Sequence, residues 1–377
     1  MEIQLSEDQQ LFRETCRRAL EARTPLSRVR ELIDDPVGYD PAVWAQGGEL
    51  GWYAMLVPEQ YGGGSMSGEG LVDATIVAEE LGRMIHPGPF HATNVVASAL
   101  AEAGTPDQRE QYLPSIASGG LIGTWAFAEP DRDWTAASVA LTAKPSGKGF
   151  VLDGIKAYVH DAQAAGLLLV TAVAAQGLTQ FVVAKDTPGV TVEPLESLDV
   201  ARRLANVRFD GVEVGADAVV GAPGDAAAAV ERQLQVALVL QCAETNGATD
   251  VGFAMTVQYS KDRVAFGRPI GSYQALKHRM ADHRMWLEGS FATTAYAAKA
   301  VQHRRDDAAV AARVAKAHVG RWSSVILHDC IQLHGGIGMT WEYDLHLYFR
   351  RAISNEVLYG APDEQYRTLV DLKEGAA

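Results

Sequence analysis

The chain has 377 residues, of which 47% are hydrophobic and 21% charged, with a mean hydropathy of −0.05. That make-up belongs to globular proteins rather than disordered or fibrous ones, and the length exceeds the roughly 250–300 residues at which a single hydrophobic core stops growing. Lys and Arg number 33 against 47 Asp and Glu, a net charge of −14. This argues against nucleic acid or an anionic membrane as partner, because both reward clustered positive charge.

From Ser6 to about Gly120 the pattern is helical. Ser6 is placed to cap a first helix, with Glu7 and Asp8 in its first turn and Leu11, Phe12, Cys16 and Leu20 at helical spacing. The run Val57-Pro58-Glu59-Gln60-Tyr61-Gly62-Gly63-Gly64 interrupts it, since proline and serial glycine cannot continue a helix. Residues 72–83 form a further helix, broken at Pro87-Gly88-Pro89, and Thr105-Pro106 opens another with proline at its first position. The character then changes. Short β-branched or apolar runs at 139–144, 149–152, 166–173, 179–184, 190–194 and 206–209 alternate with turns such as Pro145-Ser146-Gly147-Lys148-Gly149, the pattern of a small sandwich or barrel. Beyond Gly221-Ala222-Pro223-Gly224, residues 225–263, 274–302, 306–333 and 344–359 are long enough for a four-helix bundle. The predicted fold is α+β, with a helical domain over 1–120, a β domain over 121–221 and a helical bundle over 222–377.

Cys16, Cys242 and Cys330 form no CxxC pair, so neither a zinc ribbon nor a disulfide framework is expected. The ten histidines include no HExxH, and no metal site is expected. GxGxxG, GxxxxGK[ST] and GxSxG are all missing, which weakens dinucleotide-fold, P-loop and serine-hydrolase readings. The first residues, Met1-Glu2-Ile3-Gln4-Leu5, lack a basic and then apolar leader, and no apolar run approaches the roughly 20 residues of a membrane span. A cytoplasmic location is the expectation.

Two segments carry the chemistry. In Arg263-Val264-Ala265-Phe266-Gly267-Arg268-Pro269-Ile270-Gly271-Ser272-Tyr273-Gln274, two arginines and two aromatics flank a tight link between long helices. A guanidinium fork binds phosphate and a ring stacks on a flat heterocycle, so the cluster suits a dinucleotide; a helix–helix loop with capping arginines is the plain alternative. In Gln332-Leu333-His334-Gly335-Gly336-Ile337-Gly338 the glycines allow close approach of a ligand or a neighbouring subunit, or make an ordinary turn.

Taken together, Pro58-Glu59-Gln60-Tyr61-Gly62-Gly63, Ala128-Glu129-Pro130, the stretch from Arg263 to Gln274 and the turn from Gln332 to Gly338 resemble the acyl-CoA dehydrogenase family over nearly the whole chain. The resemblance implies FAD between the β domain and the C-terminal bundle, in a dimer or dimer of dimers. It implies that Arg263 and Phe266, with Tyr273 and Gln274, serve the FAD of the partner chain, that Gln332, Gly335 and Gly336 approach its adenosine and pyrophosphate, and that Trp125, Ala128, Tyr158 and His160 lie against the isoalloxazine ring. The implied reaction is α,β-desaturation of an acyl-CoA thioester, with an electron-transferring flavoprotein as acceptor. An α proton becomes removable only when the thioester oxygen is held by donors and a carboxylate acts as base.

Most members of the family place that Glu just before a glycine in a YEGT-like segment. Here Val357-Leu358-Tyr359-Gly360 puts Tyr359 in its place, and an unperturbed phenol, with a pKa of about 10, is a poor base. The second position known in the family falls at Ala237, by counting back from Arg263. Glu244, seven residues on, is the alternative base, and Glu356 is expected to pair with an arginine. Ala128 stands where a threonine commonly bonds the flavin, and Asp131-Arg132-Asp133-Trp134 replaces a small glycine-rich run, so that Trp134 narrows the CoA entrance. The expectation is a subunit lacking the base and completed by a paralogous catalytic subunit, as in α2β2 relatives acting on bulky ring-bearing CoA esters. A homotetramer with an unusual base, or a non-redox subunit binding FAD or acyl-CoA, are the alternatives.

Overall fold

The computed structural model describes residues 4–147 and 149–374. Residues 1–3, read above for a leader, residue 148, in the turn at 145–149, and residues 375–377 lie outside the described part. Two compact units emerge: one holds the chain up to Val29, Thr75–His86 and Leu238 onward, and the other holds Arg30–Ala74 and Pro87–Ala237.

Six helices come first: α1 (Glu7–Arg23), α2 (Leu26–Ile33), α3 (Pro41–Glu49), α4 (Gly70–Arg83), α5 (Phe90–Ala103) and α6 (Pro106–Ala117). The cap read at Ser6 is a reciprocal box: the Gln9 N–H donates to the Ser6 hydroxyl at 3.2 Å and the Ser6 N–H to the Gln9 side chain at 3.1 Å. Thr105 and Gln108 repeat it at the start of α6, with Pro106 at the first helical position. α5 carries no polar stripe and is buried nearly all round, so it lacks the amphipathic signature by which a surface helix is read.

The eight strands β1 (Gly123–Ala126), β2 (Thr142–Ser146), β3 (Gly149–His160), β4 (Leu167–Ala174), β5 (Gly177–Ala184), β6 (Val190–Leu195), β7 (Leu204–Gly215) and β8 (Val219–Val220) make one sheet in the order β6-β7-β3-β2-β4-β5-β8. β1 runs parallel to β4 over Leu167 to Val170, and β2 runs parallel to the same strand at Val173 and Ala174. β1 and β2 thus lie one after the other along the same side of β4, and residues 127–141 leave the sheet between them.

Two expectations are corrected here. The runs at 149–152 and 206–209 belong to twelve-residue strands. Gly154, at φ +142°, reads as a strand end but sits at a register shift that the sheet absorbs.

After the sheet come α7 (Ala227–Asp262), a hairpin of β9 (Val264–Ala265) and β10 (Arg268–Pro269), then α8 (Gln274–Gln302), α9 (Ala308–His334) and α10 (Leu345–Val357). A fifth helix, α11 (Pro362–Glu374), follows the four expected, with proline first and Asp363 and Glu364 in the opening turn. No helix among the described residues is long and apolar enough to cross a membrane, and the described residues hold no group of His, Cys, Asp and Glu fit for a metal ion.

Candidate functional site

The strand end after β1 is built on buried polar groups. Trp125 donates its indole N–H to the Thr171 hydroxyl at 3.0 Å, and Gln180 donates to the same oxygen while exchanging two hydrogen bonds with Gln233. Trp125 stacks on Phe127, with ring centroids 4.4 Å apart, and Trp134 lies 6.5 Å from Phe127 and 6.3 Å from Tyr158. The loop carrying Trp134 is pinned at both ends. Lys156, fully buried on β3, donates to the Phe127 carbonyl at 2.9 Å and to Glu129 at 2.7 Å, and Glu129 also accepts from the Ala140 and Leu141 N–H groups. Burial pulls the Lys156 ammonium down to about 8 although Glu129 opposes it. Glu129 feels the same desolvation, but Lys156 and the two N–H groups outweigh it and hold its carboxyl below the ordinary value.

At Tyr158 the β3–β7 register shifts, and φ is +53°. That bulge turns the ring outward, 43% exposed, while the Ala157 N–H donates to the Ala128 carbonyl at 2.8 Å. Two residues on, His160 is buried. Arg202 donates to its Nδ1 at 3.3 Å, and the ring of His91, from α5, stacks on it at 5.5 Å. His91 Nε2 lies 2.9 Å from the Ala237 carbonyl.

In the other unit, β9 and β10 are joined by Phe266 and Gly267, both at positive φ, the geometry of a two-residue hairpin turn in which Asn-Gly is usual. Phe266 is 97% exposed. Tyr273 braces the hairpin by donating its hydroxyl to the Ala265 carbonyl at 3.0 Å, with Arg268 4.0 Å over its ring, and leaves Arg263 and Gln274 exposed. At the end of α9 the exposed Gly335, at φ +67°, turns the chain, and a Cβ on it or on Gly336 would meet nothing within 4 Å; Gln332 is exposed beside them. Beneath this turn His334 is buried against Tyr259, at 4.2 Å. Its Nδ1 donates to the Cys330 carbonyl, and burial lowers its pKa.

Two residues beyond the end of α10 stands Tyr359, buried and at φ +62°, followed by Gly360 at φ +98°. Gln365 donates to both their carbonyls, and a Cβ on Gly360 would fall 2.6 Å from its Nε2. The same helix grips Glu244 on α7: Arg351, fully buried, donates to one carboxylate oxygen at 2.7 Å and Asn355 to the other at 2.9 Å. Of seven described non-glycine residues at positive φ, three are Tyr158, Phe266 and Tyr359. Backbone strain of this kind gathers at functional sites.

Sequence models of the acyl-CoA dehydrogenase N-terminal, middle and C-terminal domains match residues 6–120, 124–212 and 227–371. The chain belongs to the acyl-CoA dehydrogenase family. It is 34% identical to the acyl-CoA dehydrogenase IpdE2 of Mycolicibacterium smegmatis over 370 residues, 97% of this chain and 98% of that one. It is also 34% identical to IpdE2 of Mycobacterium tuberculosis, covering 96% of each. Among solved structures it resembles the Tcur3481–Tcur3483 steroid ACAD, with a TM-score of 0.89, 30% identity and 98% and 99% of the two chains covered. The ChsE4–ChsE5 complex of Mycobacterium tuberculosis matches with a TM-score of 0.89 at 26% identity, covering 98% of each chain.

Membership makes this an FAD-dependent oxidoreductase of the kind acting on the CH–CH group of acyl-CoA donors. The residues present fit that cofactor: the Gly335–Gly336 turn offers open backbone, and the exposed Tyr158 ring offers a flat apolar face. Glu356 takes a hydrogen bond from Ser324, at 2.5 Å, where an arginine was expected. Lys156, Arg202, His91, Arg351 and Asn355 were not singled out from sequence. Lys156 and His91 stand in largely apolar surroundings, whereas Arg202, Arg351 and Asn355 adjoin other polar residues and carry no local mark.

Proposed function

We propose that this chain is the base-lacking subunit of an FAD-dependent acyl-CoA dehydrogenase, with a paralogous subunit supplying the carboxylate that removes the α proton. The observation that carries this reading is the state of Glu244. With Tyr359 and Ala237 at the two base positions, Glu244 is the candidate base on α7, and its two oxygens are taken by Arg351 and Asn355. A carboxylate so held is stabilised as an anion and fixed in direction, which suits a structural task better than proton abstraction.

In this reading Arg263, Phe266, Tyr273 and Gln274 reach the FAD of a neighbouring subunit, an arrangement that the exposure of Phe266 supports. Gln332, Gly335 and Gly336 approach its adenosine and pyrophosphate, and Trp125, Ala128, Tyr158 and His160 wall the isoalloxazine ring. Bound FAD supplies the hydride acceptor. The chain itself contributes orientation and exclusion of water: Glu129 and Lys156 hold the loop of Trp134, and Trp134 with Tyr158 narrows the entrance for CoA. A steroid or other polycyclic acyl-CoA is the substrate class, as the name of the Tcur3481–Tcur3483 relative supports, and an electron-transferring flavoprotein is the acceptor.

Flavin absorbance per chain tests this, measured on the protein purified alone and then with its paralogous subunit. The reading expects little flavin alone, and roughly one FAD per pair of chains in the complex, bleached anaerobically by a polycyclic acyl-CoA. One FAD per chain and full turnover alone would overturn it. Stable flavin that no acyl-CoA in a broad panel bleaches, even with the paralogue present, would favour a non-redox binding subunit.

A further inference from the structure

One cavity, of about 470 Å³, belongs to neither the strand end nor the glycine turn. It lies wholly within the unit that resumes at Leu238, between the second half of α1, the turn into α2, the end of α4 and one residue each of α7 and α10. Pockets for small molecules have volumes of about 300–1,000 Å³. Four charged residues line it, Arg17, Glu21, Glu80 and Arg83. The buried Glu80 is already occupied, its two oxygens accepting from Arg17 Nε and Nη2 at 2.9 and 2.8 Å. Arg83 commits Nη2 to Asp250 at 2.6 Å, and its Nε lies 3.6 Å from Glu80. A guanidinium carries five N–H groups, and Nη1 of each arginine has no partner among the described residues. Both side chains keep contact with solvent, Arg17 at 42% exposure and Arg83 at 21%, so a ligand entering the cavity meets them. The remaining wall is apolar: Leu26, Met84, Val251 and the ring of Tyr348, whose hydroxyl donates to the Arg83 carbonyl at 3.1 Å.

We propose that this cavity binds an apolar monocarboxylate, its head held by the Nη1 groups of Arg17 and Arg83 and its hydrocarbon body laid on Leu26, Met84, Val251 and the Tyr348 ring. The lining selects that class. It offers unspent donors and apolar surface, which suits a head that only accepts, and a carboxylate matches the planar guanidinium fork. Glu21 at the rim, with Glu79, Glu80 and Asp250 behind the two arginines, disfavours a second negative charge on the head. The site is independent of the FAD reading, because none of its residues belongs to the strand end, the hairpin or the glycine turn.

Decanoate, kept below its micelle concentration, is the probe, titrated into the full chain carrying methyl-labelled methionine and followed by NMR, with the Met84 signal identified by its loss in Met84→Leu. Saturable movement of the Met84 methyl is expected. Decanol and decyltrimethylammonium, which share the body but lack the anionic head, should bind at least about fivefold more weakly. Arg17→Gln is expected to weaken decanoate about fivefold, whereas Glu21→Gln, which removes the rim charge, should tighten it about twofold. Met84→Trp fills the cavity while leaving every charge in place; it should abolish binding and decides the matter if Arg17→Gln does not fold. No saturable shift at Met84, shifts confined to other methionines, equal binding of decanol, or unchanged affinity in Met84→Trp would each overturn the proposal.

Discussion

Two clamped carboxylates invite comparison, Glu129, buried at the strand end, and Glu244, partly buried in the helical bundle. Each is locked to one buried cation and to further N–H donors, Glu129 by Lys156 with two backbone groups and Glu244 by Arg351 with Asn355. They differ in the cation. Lys156 can lose its proton near neutrality, being pulled down to about 8, whereas a guanidinium stays charged at any ordinary pH. The cation of the strand-end clamp therefore answers to pH near neutrality. The lesson is that an acidic residue in the right neighbourhood is not yet a base, because its hydrogen-bond partners decide whether its lone pairs are available.

The largest effect is expected from breaking the bundle clamp. Arg351→Met leaves the largely enclosed Glu244 carboxylate without its cation and should lower unfolding free energy by about 3 kcal/mol, measured by urea denaturation. A loss under about 1 kcal/mol would show that Glu244 reaches water and is open to catalysis. Lys156→Met should cost less, about 2–3 kcal/mol, because Ala140 and Leu141 still donate to Glu129. If the two losses were equal, the backbone donors at the strand end would count for nothing.

The pH dependence sharpens the contrast. The folded-state pKa of Lys156, about 8, lies below its value of 10.5 in a free side chain, so between those limits the unfolded chain binds more protons. The contribution of this group to stability is therefore fully present above 10.5 and is lost as pH falls through about 8. Denaturation curves should show that rise from pH 8 to 10.5 in the wild type and a flatter profile in Lys156→Met; parallel profiles would mean the buried ammonium does not titrate there.

Smaller still is Glu244→Gln. It keeps the shape and one acceptor for Arg351, and is expected to cost about 1–2 kcal/mol of stability while leaving turnover of the two-subunit enzyme within about threefold. A drop of a hundredfold or more, in the range general-base catalysis supplies, would make Glu244 the base. Tyr359→Phe is expected to change turnover by less than about twofold, since the phenol is given no part in proton transfer; a larger fall would assign it one.

Much of this was legible in the residues taken in order. The Ser6–Gln9 and Thr105–Gln108 boxes, the long helices and the turns bounding the short strands follow from neighbours three or four apart, and local spacing carries that information. So do the Arg263-to-Gln274 and Gln332-to-Gly338 segments, because a tight hairpin and a glycine turn each need particular residues at adjacent positions. α5 escaped notice because a helix buried all round has no polar face to set its period. α11 was absent from the reading because it is short and follows directly on the Tyr359 turn.

Sequence by itself determined the order of helix, sheet and helix and the family to which the chain belongs. Only the tertiary structure decided the partners of the polar residues. Glu244 meets Arg351 across 107 positions of chain, Lys156 meets Glu129 across 27 and Arg202 meets His160 across 42. The reason is physical: a buried charge must find its counter-charge wherever packing brings one, and packing joins segments whose separation along the chain carries no mark in their spacing.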